Sequence, residues 1–302
     1  SQQTLRNKSF STNASQQKFL NKRFATNASQ KKPSPSGPMI SLKVHQKKDG
    51  IWKYVEDWEN LQIKEVWEKL APFNHKTTSV YVDFKGKNVD LSRAPAFPFG
   101  VERLQLHNMV IENENDLSYI RDALHVNRCS GLTLLNIKFS GTDAQNLEAS
   151  FCEIIQKASL NELVINKQSL QFVSTLCRHL TNDSHLKYLK FVDIFFNDPN
   201  LMYHVAWCIT SCEFLHKIKL SGVRFLAGNT YDQFWYALGL RSRKIQKLNI
   251  ANYNVVDSNG KKTRKYPINE HLILWTLKHL NLDTLEIELP AIAEPERVKD
   301  FL

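Results

Sequence analysis

Leu186-Lys187-Tyr188-Leu189-Lys190-Phe191-Val192-Asp193-Ile194-Phe195-Phe196 carries apolar residues at its positions 1, 4, 6, 9 and 11. That spacing is too irregular for a plain alternating strand and too compressed for one helix face. A short strand followed by an inward turn fits it.

The same spacing returns along most of the chain. Downstream it reads Leu215, Ile218, Leu220, Val223, Phe225, then Ile245, Leu248, Ile250, Tyr253, Val255, and last Leu282, Leu285, Ile287, Pro290, Ile292. Upstream it reads Leu160, Leu163, Ile165, Gln168, Leu170, before that Leu132, Leu135, Ile137, Ser140, Thr142, and before that Val101, Leu104, Leu106, Met109, Ile111. A degenerate copy starts at Thr77 with Val80 and Val82. First positions at 77, 101, 132, 160, 186, 215, 245 and 282 give steps of 24 to 37 residues, the period of a solenoid.

Over residues 77–292 the pattern resembles the leucine-rich repeat, L-x-x-L-x-L-x-x-N/C-x-L, in its longer, helix-containing, ribonuclease-inhibitor-like class. The resemblance implies an α/β solenoid, an arc of about seven to eight strand-helix repeats with a parallel sheet on its concave side. Position 9 departs from the family, holding Met109, Ser140, Gln168, Ile194, Val223, Tyr253 and Pro290 in place of Asn or Cys. A less regular arc without the family's asparagine ladder is expected.

Between the strand motifs lie helical patterns: Leu117, Ile120, Leu124, then Leu147, Phe151, Ile154, Ile155, then Phe172, Leu176, Leu180. Leu201, Val205, Cys208, then Phe234, Ala237, Leu238, and Leu272, Trp275, Leu277, Leu280 follow. Asn197-Asp198-Pro199-Asn200 and Tyr266-Pro267 read as helix starts, since Pro suits the first turn.

Four segments are expected. Residues 1–38 are a basic, low-complexity, targeting-like extension ending at the stiff Pro33-Ser34-Pro35-Ser36-Gly37-Pro38 linker. Residues 39–76, with Trp52, Trp58 and Trp67, are an aromatic cap over the first repeat's open core edge. Residues 77–292 are the repeats, and 293–302 a short closing segment.

Charge locates the unusual part of the chain. Of the net +10, residues 1–48 supply ten basic side chains and no acid before Asp49, which leaves the rest with 30 basic and 30 acidic residues. The extension repeats itself, Asn7-Lys-Ser-Phe-Ser-Thr-Asn-Ala-Ser-Gln returning as Asn21-Lys-Arg-Phe-Ala-Thr-Asn-Ala-Ser-Gln. An acid-free, Ser-rich, basic segment with isolated Phe10, Phe19 and Phe24 resembles a mitochondrial presequence. Ser1 in place of Met is read as a sign of a removed or omitted leader. The five cysteines show no CxxC, so a reducing compartment is expected: mitochondrial matrix or the matrix face of the inner membrane, with cytoplasm as the alternative. No run of 18 apolar residues spans a membrane.

Catalytic motifs are missing: no phosphate-binding Gly-rich loop, no G-x-S-x-G, no H-E-x-x-H. Cys208 and Cys212, at i and i+4, read as small buried helix residues sooner than as a metal or redox pair. Glu112, Glu114 and Asp116 read as acids at a helix start. No enzyme activity, cofactor or metal is expected.

What remains is the strand face. Positions 3, 5 and 7 should face solvent on the concave side. They read Leu134, Asn136, Lys138 in the third copy, Tyr188, Lys190, Val192 in the fifth, Lys217, Lys219, Ser221 in the sixth and Lys247, Asn249, Ala251 in the seventh. A basic protein-binding stripe of Lys187, Lys190, Lys217, Lys219 and Lys247 is expected. A polar insertion carrying Lys261, Lys262, Arg264 and Lys265 is a possible second contact loop. The expected function is a non-catalytic scaffold, a structural or accessory subunit of a mitochondrial assembly such as a respiratory complex or ATP synthase. Alternatives are a mitochondrial-ribosome-associated subunit or a cytosolic adaptor such as a ubiquitin-ligase substrate receptor. Partners are other subunits; the basic extension is where nucleic acid would bind first, and the ribosomal alternative would use the face lysines Lys187, Lys190, Lys217 and Lys219.

Overall fold

The computed structural model describes residues 39–73, 78–87, 91, 101–126, 128–180, 185–240, 245–251, 253–262, 270–279 and 284–287. The expected extension (1–38), the closing segment (293–302), the helix start at Tyr266-Pro267, and Arg264 and Lys265 lie outside them.

Asp49 and Gly50 both take positive φ, 54° and 76°, as a two-residue hairpin turn that follows the right-handed strand twist requires. They join β1 (Ile40–Lys48) to β2 (Ile51–Leu61), antiparallel, with Lys48 opposite Ile51. The sequence reading assigned no strand here, although Asp-Gly between two runs rich in β-formers was the available signal. α1 (Ile63–Leu70) follows, its first turn closed by the Gln62 N–H donating to Glu65 Oε2 at 2.7 Å. Val66 and Leu70 are buried, and Trp58 packs edge-on against Phe73 with ring centres 6.4 Å apart.

β1 then pairs antiparallel with β3 (Thr78–Asp83), and from β3 onward the chain repeats one path of strand, turn and return. β4 (Val101–His107), β5 (Val110–Ile111) and α2 (Glu114–Val126) form one pass; β6 (Gly131–Leu135), β7 (Lys138–Phe139) and α3 (Ala144–Lys157) form the next. β8 (Glu162–Asn166) leads into α4 (Leu170–His179). β9 (Tyr188–Val192), β10 (Phe195–Phe196) and α5 (Pro199–Ser211) follow, then β11 (Lys217–Ser221), β12 (Arg224–Leu226) and α6 (Asn229–Leu240). β13 (Lys247–Ala251), β14 (Asn254–Val256), α7 (Glu270–His279) and β15 (Thr284–Ile287) complete the series. The result is a mixed α/β fold on a ten-stranded sheet, order β15-β13-β11-β9-β8-β6-β4-β3-β1-β2, parallel from β3 to β15 and antiparallel at the hairpin. Each of α2 to α7 packs on the helix next to it in the chain. No helix among the described residues is long and apolar enough to cross a membrane.

Strand pairing corrects one copy of the motif. Leu104 pairs with Leu132 and Leu106 with Leu134, so Leu132 occupies position 4, not position 1. The copy begins at Cys129, and Cys129, Leu132, Leu134 and Ile137 are the buried set. The outward residues of β6 are therefore Thr133 and Leu135, and Leu134 is wholly buried.

With that frame, one backbone feature recurs. Asn108, Asn136, Lys167, Asp193 and Gly222 all stand at position 8 and all take φ between 50° and 66°. This left-handed residue makes the inward turn, and its N–H reaches the next strand's end: Asn108 to Leu135 O at 2.8 Å, Asn136 to Asn166 O at 3.1 Å, Lys167 to Val192 O and Asp193 to Ser221 O at 3.0 Å. Asn136 Nδ2 donates to Asn108 Oδ1 at 2.8 Å, and Asn108 Nδ2 to Asp83 Oδ1 at 3.0 Å. The amides of Asn136 and Asn108 at position 8 thus form a short ladder that ends on the Asp83 carboxylate, while position 9 is buried: Met109, Ile137, Gln168, Ile194, Val223 and Tyr253.

The return limbs follow local chemistry. Asp198 caps α5, its Oδ1 accepting from Asn200 N at 2.8 Å and Leu201 N at 3.3 Å, with Pro199 in the first turn. Ser169 Oγ accepts from Phe172 N at 3.1 Å to start α4. Inner faces of helices and strands share one apolar core running from Ile40 to Ile273, each fully buried Leu or Ile contributing roughly 1.5–3 kcal/mol.

Candidate functional site

Parallel pairing in register lays the outward residues of successive strands in straight rows, neighbours about 4.8 Å apart. One row runs Arg103, Gly131, Glu162, Tyr188, Lys217, Lys247; the next runs Gln105, Thr133, Val164, Lys190, Lys219, Asn249. Residues between them, such as Leu189, Phe191, Ile218 and Leu220, point into the core. The rows therefore stand on the sheet face that the helices leave open.

The two halves of this face differ in charge. In the first half Arg103 lies across Gly131 to pair with Glu162, and a Cβ on Gly131 would meet Arg103 Cγ at 3.0 Å. Glycine is what lets that ion pair span two strands. Lys47 pairs with Glu102 at 3.2 Å, and both Lys47 and Arg103 lie over the Trp52 ring, 5.6 and 5.5 Å from its centre. Trp52 is thus part of the open face.

In the second half Lys190, Lys217, Lys219 and Lys247 make no salt bridge among the described residues. Lys217 Nζ sits 4.3 Å from the centre of the Tyr188 ring. Burial holds the Lys190 ammonium below its ordinary pKa, the Lys219 and Lys217 charges push the same way, and Glu162 opposes them. Burial pushes the Tyr188 hydroxyl up to about 12. Tyr188, Lys217, Lys219, Lys247 and Asn249 line a shallow depression of about 240 Å³. A site of this kind can hold a negatively charged group between several ammonium donors.

Of the five expected stripe residues, four meet here. Lys187 is exposed one residue before β9, with opposite parity to Tyr188 and Lys190; its carbonyl accepts from His216 N and Lys217 N. Lys261 and Lys262 are exposed on a turn closed by Asp257, whose Oδ1 accepts from Asn259 N and Lys261 N at 2.9 Å. The Arg103–Glu162 bridge and the Trp52 platform were not anticipated; Gly131 in the outward row was the signal.

The remaining candidates have structural places. Cys208 and Cys212 are buried with their sulfurs 3.6 Å apart. Asp116 Oδ2 accepts from Glu112 N at 3.1 Å, closing the start of α2. No three His, Cys, Asp or Glu side chains converge among the described residues. No protein-family model matches the chain, and no curated protein matches it.

Proposed function

We propose that this chain is a non-catalytic protein-binding scaffold whose open sheet face receives an acidic segment of another subunit. The observation that carries the reading is the convergence of Lys190, Lys217, Lys219 and Lys247 around Tyr188, without salt-bridge partners among the described residues. Holding like charges a strand apart costs stability, and an acidic partner relieves that cost on docking. We further read residues 77–292 as leucine-rich repeats, supported by strand pairing at a repeating 24–37-residue step. The assembly we infer is mitochondrial, a respiratory complex or ATP synthase, because the first 48 residues hold ten basic side chains and no acid.

Import into isolated mitochondria followed by native separation of complexes tests both parts. The full chain is expected inside the organelle and in a high-mass complex, and a free monomer left outside rejects the assignment. Lys190→Glu/Lys217→Glu/Lys219→Glu is expected to import normally and leave the complex. Co-migration like the parent chain would reject this face as the docking site. The same lysines beside an aromatic ring also suit RNA, so RNase treatment that releases the chain would favour the ribosome-associated reading.

A further inference from the structure

The helical side of the molecule carries a second, uncharged surface that the fold itself does not require. The buried face of α5 is Met202, Val205, Cys208 and Ile209, and that of α6 is Phe234, Ala237 and Leu238. Yet α5 also turns Tyr203 and Trp207 outward at i and i+4, and α6 does the same with Tyr236 and Leu240. These four are 56%, 55%, 55% and 57% exposed. They form two parallel ridges with a groove of about 330 Å³ between them, floored by Ala206 and Ala237, and no charged side chain among the described residues lines it.

α7 extends the patch. The sequence reading placed Trp275 with the inward residues of that helix, but Ile273 and Thr276 are the buried ones and Trp275 is 42% exposed. Its ring rests on Gly239, where an added Cβ would stand 2.2 Å from Trp275 Cζ3. Only a glycine at this point of α6 lets the edge of the indole approach the neighbouring helix so closely.

Size and shape point to one occupant. At roughly 200 Å² per aromatic side chain, the exposed fractions of Tyr203, Trp207, Tyr236 and Trp275 leave ~400 Å² of ring surface. Leu240 brings this to ~500 Å². A standard interface takes about 800 Å² from each partner, and in homodimers about 65% of that is apolar, or ~520 Å². The patch therefore holds the apolar share that one protomer of a standard dimer presents. It is also self-complementary, because a ridge of i and i+4 side chains lies beside a groove between two helices, and such ridges pack into such grooves. A two-fold axis parallel to the groove and midway between it and one flanking ridge seats that ridge of each copy in the groove of the other.

We propose that the α5–α6 groove, with Trp275 at its margin, is the two-fold contact of a homodimer of this chain. Association buries the indole of Trp207 and the ring of Tyr236 at the centre of the contact. The surface is separate from the lysine rows, so it stands whether or not the scaffold reading does.

Sedimentation equilibrium of the full chain tests it, with a dimer expected at about 10 µM. A single monomeric species up to about 100 µM would overturn the proposal and leave the groove to a helix of another protein or to a lipid surface. Trp207→Glu/Tyr236→Glu, both at exposed positions, is expected to weaken dimerisation at least a hundredfold with an unchanged circular dichroism spectrum. An undiminished dimer in that variant would overturn the surface. A second variant covers misfolding: all five cysteines are buried, so Thr210→Cys at the end of the groove supplies one accessible thiol. The groove is ~10 Å long, and a bismaleimide of about 15 Å should join two such chains. A dimer that resists this cross-link has formed through another face.

Discussion

His107 shows how a single side chain on the open face couples stability to pH. Its Nε2 is buried with no hydrogen-bond partner among the described residues, and its ring packs 4.2 Å from that of Tyr81. Burial pulls the imidazole down to about 4, against the nearby Asp83 carboxylate, which favours the proton. The folded state therefore keeps His107 neutral while the unfolded chain takes up a proton near 6.5. Stability from this group is full above about 6.5 and is lost as pH falls towards 4, below which it changes no further. Comparing urea midpoints of the parent chain and His107→Gln across that window isolates the effect from the carboxylates. The parent's advantage should shrink on acidification, and a constant difference would mean the ring is already charged in the fold. Parity in the sequence was enough to place Lys190 and Lys219 outward. Parity alone does not show Arg103 reaching over Gly131 to Glu162; that needs the pairing register, which sets Gly131 between them in one row.

The turn at position 8 governs the individual element. Gly222 has φ 66°, and a Cβ there would stand 2.2 Å from Asp193 Oδ1. Gly222→Ala should lower the unfolding free energy by about 1–2 kcal/mol, from left-handed strain and the displaced carboxylate. Lys167 holds the same conformation at φ 50° with a full side chain, so Lys167→Gly should raise it by up to about 1 kcal/mol. Denaturant titration of the pair reads both signs, and equal signs would show that the turn is not the cause. This turn also explains the one slip in reading the repeats. Leu132 and Leu135 have the separation of positions 1 and 4, since Leu135 is an apolar residue on an outward site. Taken from Leu132, the frame demands a left-handed phenylalanine at Phe139; taken from Cys129, it puts Asn136 there, a residue that tolerates φ above zero. Apolar spacing located the strands of the large sheet from β3 onward, but not the short second strands β5, β7, β10, β12 and β14 at the turns. Turn chemistry was needed for register, and the hairpin before it announced itself only through Asp49-Gly50.

At the scale of the whole molecule, strand order in the large sheet follows chain order from β1 to β15, apart from the hairpin's outer strand β2. The hairpin covers the outer edge of β3, which would otherwise offer unpaired backbone groups to other chains. A chain beginning at Thr78 should consequently aggregate where the full chain stays monodisperse, as light scattering during refolding would register. A soluble, folded truncation would show that the edge needs no cover. The same order has a mechanical consequence. Among the described residues, each strand of the parallel run from β4 onward is hydrogen-bonded within the large sheet only to the strand of the preceding pass and that of the following pass. Tension applied through the two ends would peel the outermost strand and then load the next. Under force the molecule should lengthen in a series of small ruptures, each the size of one pass, and shorten again along the same steps.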